Sequence, residues 1–464
     1  MVKEQDNKII TRFAPSPTGI LHIGGARTAL FSWLYAKSLG GDCLLRIEDT
    51  DLERSKDEYT AEIIKSFKWI GIIFDGEPVY QSKNIDKHNQ IIDRLLKEKN
   101  AYVCQCTEER LSKLRKELQK QGLNPKYDGK CRELGLEKEA GSVIRFKMPL
   151  EGSIIFNDLV KGRIEISNTE LDDLIIQRGD ETPTYNLSVV VDDIDMKVSH
   201  VIRGDDHLNN TPKQIHIFNA LNQDVPVYGH VPMILGEDGK RLSKRHGAIG
   251  IREYKDLGIL PDALRNYLVR LGWSLGDKEL FNEQDLIDSF QEGTLNSSPA
   301  SFSEEKLLWF NKSFLDKLNN AELSKILDKD YLDNSVYANE VLDLVKDRCH
   351  TLNDFLKETF YFFNELNEFP EEELRKIISG QAESILIHLR DHLKTLNEWN
   401  SKTVKNVLDS TTKEFEVGFS KVGIPLRYCL TGQTKSPSID LVCKILGKEK
   451  VLERIQKVIN LSNS

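Results

Sequence analysis

The chain is short of several things that whole functional classes require. Nowhere in its 464 residues does an apolar run approach the ~18 residues of a membrane span, so no helical membrane anchor is expected. The opening residues, Met1-Val2-Lys3-Glu4-Gln5-Asp6-Asn7-Lys8, hold no apolar core of the signal-peptide kind, and a cytoplasmic protein is expected. Cysteine is scarce. Seven thiols, odd in number and thinly spread, do not make a disulfide framework and read as reduced thiols or metal ligands. Positive charge is in deficit too, with 64 Lys and Arg against 73 Asp and Glu and a formal net charge of −9. That balance excludes a polycation that coats nucleic acid indiscriminately, while leaving room for local basic strips on an acidic surface. Breakers are rare over one long stretch: from Ser303 to Val417 only Pro370 and Gly380 interrupt the helical periodicity. There is no internal repeat and no low-complexity tail.

What is present has 39% hydrophobic and 30% charged residues, the balance of a soluble globular protein. A single core stops growing near ~250–300 residues, so several domains are expected. The most informative stretch runs from Ile9 to Asp51. An apolar run, Ile9 to Phe13, breaks at Ala14-Pro15-Ser16-Pro17-Thr18-Gly19 and reaches His22-Ile23-Gly24-Gly25. Ala26, Ala29, Leu30, Trp33 and Leu34 then recur at three- and four-residue spacing, one buried helical face. A second apolar run, Cys43 to Ile47, ends in Glu48-Asp49-Thr50-Asp51. Strand, loop, helix, strand is the opening half of a doubly wound nucleotide-binding fold. In such a fold the first helix aims its unpaired N–H groups at the crevice, so His22 and the two glycines sit where a phosphate would lie. By itself His-x-Gly also describes an ordinary strand-to-helix turn.

Helices are expected from Ser55 to Trp69 and from Ile85 to Lys99, with a polar loop around Pro78, Tyr80 and Gln81 between them. From Ala101 to about Pro183 the character changes to a charged helix, Thr107 to Gln121, and short strands such as Ser142 to Met148 and Ser153 to Asn157. This reads as an insertion. The apolar run Leu187 to Val191 is then expected as a strand covered on both faces. A strand from His200 to Arg203, a helix near Pro212 to Leu221, a strand near His230 to Leu235 and a basic loop from Gly239 to Gly247 follow. Beyond Arg252 helices dominate, with Gly293 to Ser303 as a candidate connector. Val341, Leu344, Val345, Arg348, Leu352, Phe355 and Leu356 keep one helical face. The fold class expected is therefore α/β: a Rossmann-type doubly wound parallel sheet split by an α/β insertion and followed by an all-α C-terminal region.

Two guanidinium groups, Arg12 and Arg203, fall at the expected carboxyl ends of strands. Either can hold a carboxylate in two hydrogen bonds and so prefer it to a neutral amide; an ion pair of Arg203 with Asp205 or Asp206 is the alternative. Cys104 and Cys106 face one side of a strand, and Cys131 follows after a turn-rich interval, so a metal site and three reduced thiols both remain open.

The combination Arg12-Phe13-Ala14-Pro15-Ser16-Pro17-Thr18-Gly19, His22-Ile23-Gly24-Gly25 and Arg46-Ile47-Glu48-Asp49-Thr50-Asp51 resembles the N-terminus of bacterial glutamyl-tRNA synthetases, class I aminoacyl-tRNA synthetases marked by the HIGH motif. Arg241-Leu242-Ser243-Lys244-Arg245 resembles their KMSKS loop, with Arg241 in place of lysine. The resemblance implies a glutamate-tRNA ligase that uses ATP and Mg2+, activates L-glutamate as glutamyl-adenylate and passes it to the terminal adenosine of tRNA(Glu). It implies His22 and Lys244 as catalytic groups. Gly24, Gly25, Arg241, Ser243 and Lys244 would meet ATP. Arg12, Ala14, Ser16, Glu48, Tyr185 and Arg203 would surround the glutamate, with Arg203 on its side-chain carboxylate and Glu48 near its ammonium. Some members carry Cys-x-Cys and then Cys-x-His as a zinc site; here Glu133 stands where the histidine would be. A Zn2+ held by Cys104, Cys106 and Cys131, with Tyr127 or Glu133 as fourth ligand, is implied on the same footing as reduced thiols. Implied domains are 1–100 and 184–236 as the two catalytic halves, 101–183 as an acceptor-binding insertion, 237–320 as a stem-contact domain and 321–464 as a helical anticodon-binding region. Ser420 to Arg427, with Thr431-Gly432 after it, resembles a segment of the anticodon-binding helical cage of these enzymes; bare of the resemblance it is a Gly/Pro-marked turn with two basic residues. A monomer is the family habit. A non-catalytic paralogue would be signalled by loss of His22, Lys244 or Arg203, and all three are present.

Overall fold

In the computed structural model β1 (Ile10–Phe13) stops where Pro15 and Pro17 remove ladder donors. Residues 8–51, 54–242, 249–330, 332–333 and 335–462 are described. Helix α1 (Ile23–Ser38) buries Ala26, Ala29, Leu30, Trp33 and Leu34, the face its spacing predicts, and Phe31 and Ala36 besides, because it is covered on more than one side. Strand β2 (Asp42–Ile47) lies parallel to β1 with Ile10 opposite Asp42. After α2 (Asp57–Trp69), a two-residue strand β3 (Val79–Tyr80) pairs parallel with β2 where a polar loop was expected. Two residues are too few to show a period. Helix α3 (Ile85–Lys97) completes this half.

The insertion follows as β4 (Ala101–Cys104), α4 (Glu108–Lys120), β5 (Val143–Phe146), the hairpin β6 (Ser153–Asp158) and β7 (Gly162–Ser167), and β8 (Ile175–Gln177). Strands β4, β5 and β8 form an antiparallel sheet. One core cluster joins its Val103, Ile144, Phe146 and Ile176 to Ile92 and Leu95 of α3.

The run Leu187 to Val191 is helical, not a strand: α5 spans Tyr185–Asp195. Leu187, Val190 and Val191 enter the same core cluster with Ile194 packed against it, an i, i+3, i+4, i+7 series that β-branched composition disguised. Then come β9 (His200–Gly204), α6 (Thr211–Ala220), β10 (Val227–Val231) and β11 (Ile234–Leu235). Pro232 divides the single strand expected near His230 to Leu235. Strands β9 and β10 are parallel. Strand β9 lies beside β1, where the Ser199 N–H donates to the Ile10 carbonyl at 2.9 Å. The spatial order is therefore β3-β2-β1-β9-β10, with strands added on one side of β1 in the first half and on the other side in the second, and the crevice between β1 and β9 is where doubly wound sheets bind ligands.

Helices α7 (Ile251–Asp256) and α8 (Pro261–Arg270), strand β12 (Trp273–Ser274) and helix α9 (Glu283–Ser289) come next. The Gly293–Ser303 segment is more than a connector: β13 (Thr294–Leu295) pairs with β12, and β14 (Ala300–Ser301) with β11. By packing the chain divides into one unit of residues 1–254 and 261–307 and a second of residues 255–260 and 308–464.

Helix α10 (Glu304–Leu315) runs through the boundary at residue 307, and in the second unit α11 (Asn320–Leu327), α12 (Val336–Val345), α13 (Leu352–Phe363) and α14 (Glu371–Ile377) precede α15 (Ala382–Thr395), α16 (Ser401–Glu414), α17 (Phe419–Thr431), α18 (Ile439–Leu446) and α19 (Lys448–Ser462). The face expected from Val341 to Leu356 is cut in two, since α12 ends at Val345 and Thr351 caps α13 in a capping box with Asp354. Val341, Val345 and Phe355 are buried and Arg348 is exposed. No helix among the described residues is long and apolar enough to cross a membrane.

Beneath the crevice lies a buried ion network. Asp193 of α5 accepts from Arg12 of β1 at 3.2 Å and from Arg46 of β2 at 2.5 Å. Arg46 also reaches Glu48 at 3.1 Å, and neighbouring Asp192 accepts from Gln81 at 2.7 Å and meets His88 at 2.8 Å. Burial pushes the Asp193 carboxyl up, but Arg12 and Arg46 outweigh it and hold it below its ordinary value. Asp193→Asn should therefore destabilise the first unit by about 3–5 kcal/mol in urea unfolding, because two buried cations lose their shared partner. The wild-type contribution is complete above the unfolded carboxyl pKa of about 3.9 and is lost as pH falls through the lower folded value.

Candidate active site

The crevice at the β1–β9 switch point is a cavity of about 690 Å³. Its lining brings together Arg12, Ala14, Ser16, His22, Gly24, Gly25, Glu48, Tyr185, Arg203 and Arg241. These are all the active-site residues expected from sequence except Ser243 and Lys244, which lie outside the described residues.

His22 ends the loop and caps α1, its Nδ1 accepting from the Gly24 and Gly25 N–H groups at 3.1 and 3.3 Å. Loss of hydration lowers its pKa, Arg241 lowers it further and Asp206 opposes them. A neutral ring whose Nδ1 accepts must carry its proton on Nε2, so His22 keeps one N–H to donate. Gly24 leaves room for the ring: an added Cβ would stand 3.1 Å from both Cε1 and Nδ1 of His22, tighter than an ordinary contact, and the imidazole would have to give way by a few tenths of an ångström.

Arg203, 5% exposed, stands at the carboxyl end of β9. Among the described residues its guanidinium donates only to neutral groups: His230 Nε2 at 3.1 Å, Gln214 Oε1 at 2.9 Å and Thr211 Oγ1 at 2.8 Å. The ion pair with Asp205 or Asp206 is not formed, and Asp205 meets Lys161 at 3.1 Å instead. Arg203 also lies over the Tyr228 ring, 5.1 Å from its centroid. Burial lowers its pKa, Tyr228 and Tyr185 act to raise it, and Arg12 lowers it further. A buried cation left without an anion, on the wall of a cavity, is a site for a carboxylate.

Its aim is fixed from the insertion. Asp158 at the end of β6 accepts from His230 Nδ1 at 2.6 Å, which leaves His230 Nε2 as the acceptor for Arg203. On the facing wall burial raises the Glu48 carboxyl, while Arg46 and Arg12 oppose the rise. Tyr185 Oη lies 3.1 Å from His207 Nδ1, and burial, with Glu48 nearby, pushes its phenol up to about 12.

Sequence reading missed Arg46, Asp193, Asp158, His230, Thr211 and Gln214. Only Arg46 had a signal, since Arg46 and Glu48 are two apart on one strand and share a face.

In the insertion, Cys104, Cys106 and Cys131 converge with their sulfurs within 4.8 Å of one another. Cys106 and Cys131 Sγ are 3.4 Å apart, and Tyr127 Oη lies 3.4 Å from Cys104 Sγ and 3.6 Å from Cys106 Sγ. Sulfurs of one tetrahedral zinc stand roughly 3.8 Å apart at a Zn–S length of about 2.3 Å, so the donor set fits that ion. Glu133 does not belong to it: it is exposed and meets Lys147 at 3.2 Å. In the second unit the Ser420–Arg427 segment lies inside α17 and is not a turn, with Pro425 within the helix and Arg427 Nε donating to Ser436 at 2.8 Å.

The switch-point crevice has a helix start capped by His22 and, among the described residues, a guanidinium with no anion beside it, an arrangement that can receive a phosphate and a carboxylate. The family model for tRNA synthetases class I (E and Q), catalytic domain, matches residues 8–309, and that for an anticodon binding domain matches residues 309–459. The chain belongs to the class I tRNA synthetases of the glutamate and glutamine branch. It is similar to the glutamate tRNA ligase of Elizabethkingia meningosepticum, solved in complex with its amino acid, at 31% identity and a TM-score of 0.82 over 98% of this chain and 99% of that one. It is similar also to the glutamate-tRNA synthetase of Elizabethkingia anophelis, at 31% identity and a TM-score of 0.78 over 98% of this chain and 100% of that one.

An Arg203→Met protein should be destabilised by about 1–3 kcal/mol in urea unfolding, because the buried Gln214 Oε1 loses its donor while Thr211 and His230 keep each other. Saturating glutamate should raise the melting temperature of the wild type and leave that of Arg203→Met unchanged.

Proposed function

We propose that the chain is a glutamate-tRNA ligase whose catalytic cavity is the β1–β9 crevice. The observation that carries this reading is the buried Arg203 guanidinium, hydrogen-bonded only to neutral groups among the described residues and lining the same cavity as His22. Glutamate enters with its side-chain carboxylate on Arg203 and its ammonium near Glu48, and Arg12, Ala14, Ser16 and Tyr185 close around it. Glutamine would set a neutral amide against the same donors and lose the charge-assisted bonds.

The α-carboxylate oxygen attacks the α-phosphorus of ATP in line. An O–P bond forms, the bond to the β-phosphate oxygen breaks, and pyrophosphate leaves with the electron pair. His22 Nε2–H and the N–H groups at the α1 start meet the charge that develops, and Gly24, Gly25 and Arg241 flank the nucleotide. Ser243 and Lys244 complete the grip in this reading. Mg2+ bound to the phosphates supplies further charge neutralisation. A ribose hydroxyl of the terminal adenosine of tRNA(Glu) then attacks the adenylate carbonyl, forming the ester and releasing AMP. Residues 101–183 embrace the acceptor end, 237–320 meet the stem, and 321–464 read the anticodon. Cys104, Cys106 and Cys131 with Tyr127 would hold a Zn2+ that cross-links the insertion and takes no part in the chemistry. The protein acts in the cytoplasm as a monomer.

His22→Asn separates two roles, because asparagine also caps helices but does not place a donor where Nε2–H stands. With tRNA present, pyrophosphate exchange should fall about 10²–10³-fold while stability changes by less than about 1 kcal/mol. Arg203→Gln should abolish glutamate-dependent exchange; unchanged glutamate kinetics would defeat the assignment. Protein purified without chelator should contain stoichiometric zinc by metal analysis, and Cys131→Ser should lose it.

A further inference from the structure

Besides the three thiols, the described residues hold one more cluster of metal-type donors, and it lies in the second unit. His388 and His392 are four apart on α15, the spacing that stacks two side chains on one helix face. Glu414 ends α16 and comes up beside them. One ligand atom from each residue lies within 4.8 Å of the other two. His388 Nδ1 stands 3.4 Å from Glu414 Oε1. Two donors bound tetrahedrally to one zinc at ~2.0–2.1 Å are separated by about 3.4 Å, so this pair is already spaced for a shared ion.

The hydrogen bonds of the helices prepare these rings without using them up. His392 Nδ1 is 2.9 Å from the carbonyl oxygen of His388, so its N–H donates there and the lone pair is left on Nε2. A backbone carbonyl behind an imidazole is the usual way in which a metal-binding histidine is oriented. His388 lies against the edge of Phe415 and stacks on His392 at 3.9 Å; it faces Glu414 with Nδ1, so when it ligates its proton sits on the buried Nε2, which has no hydrogen-bond partner among the described residues. The packing of α15 and α16 does not need this arrangement, since Leu386, Leu389 and Leu393 on one helix and Val404 and Leu408 on the other supply the apolar faces. Exposure of His392 and Glu414 gives an ion a route in and leaves a coordination position for water.

We propose that His388, His392 and Glu414 form a binding site for a divalent transition metal of the zinc class, which ties α15 to α16. Two imidazoles and a single carboxylate suit Zn2+, Co2+ or Ni2+; Mg2+ and Ca2+ need a shell of oxygens.

Co2+ separates this site from the thiol cluster, because thiolate ligands give near-ultraviolet charge-transfer absorption and imidazole with carboxylate does not. The metal-stripped full chain is titrated with Co2+ and with Zn2+ as wild type, His392→Ala and Glu414→Gln, with circular dichroism to confirm folding. His392→Ala should take up an equivalent less metal than wild type with its thiolate band unchanged. Glu414→Gln should bind that equivalent at least about tenfold more weakly. Equal uptake by wild type and both variants, or wild-type uptake beyond the thiol site only at millimolar metal, would overturn the proposal.

Discussion

The catalytic half of this molecule turns on one carboxylate shared between two arginines. Asp193 gathers Arg12 from β1 and Arg46 from β2 onto α5, so three elements distant in sequence are tied at a single buried point. Neither cation could be left there alone, since an unpaired buried charge costs several kcal/mol. The tie places Arg12 at the cavity wall with its charge already matched. Arg203, by contrast, lines the same cavity with no anion beside it among the described residues, so the two arginines of one cavity differ in how far their charge is matched.

The N-terminal strand, loop, helix and strand were legible because each boundary has a local chemical cause. Prolines end β1, glycines let the chain close on His22, and α1 has an apolar spacing of three and four. The misreadings have equally local causes. Valines at 189 to 191 advertise a strand, while Leu187, Val190, Val191 and Ile194 carry the helical period that the core uses. Strand β3 has two residues and no period to read.

Partnerships across the fold could not be read in this way. Arg46 and Asp193 are 147 positions apart, and Asp158 and His230 are 72 apart, so no spacing rule joins them. The zinc-type cluster was half legible. Strand geometry put Cys104 and Cys106 on one face, but which of Tyr127 and Glu133 lies beside the thiols depended on the fold, in which Glu133 meets Lys147 and Tyr127 approaches the sulfurs.

The chain of single bonds from Asp158 through His230 to Arg203 also bears on how this sequence can change over time. His230 commits its one N–H to Asp158 and has one lone pair left, which both Arg203 and Thr211 approach. An exchange at any one position removes a donor or an acceptor from the next, so tolerated substitutions should arise as sets, and drift in the insertion is coupled to the guanidinium on the cavity wall.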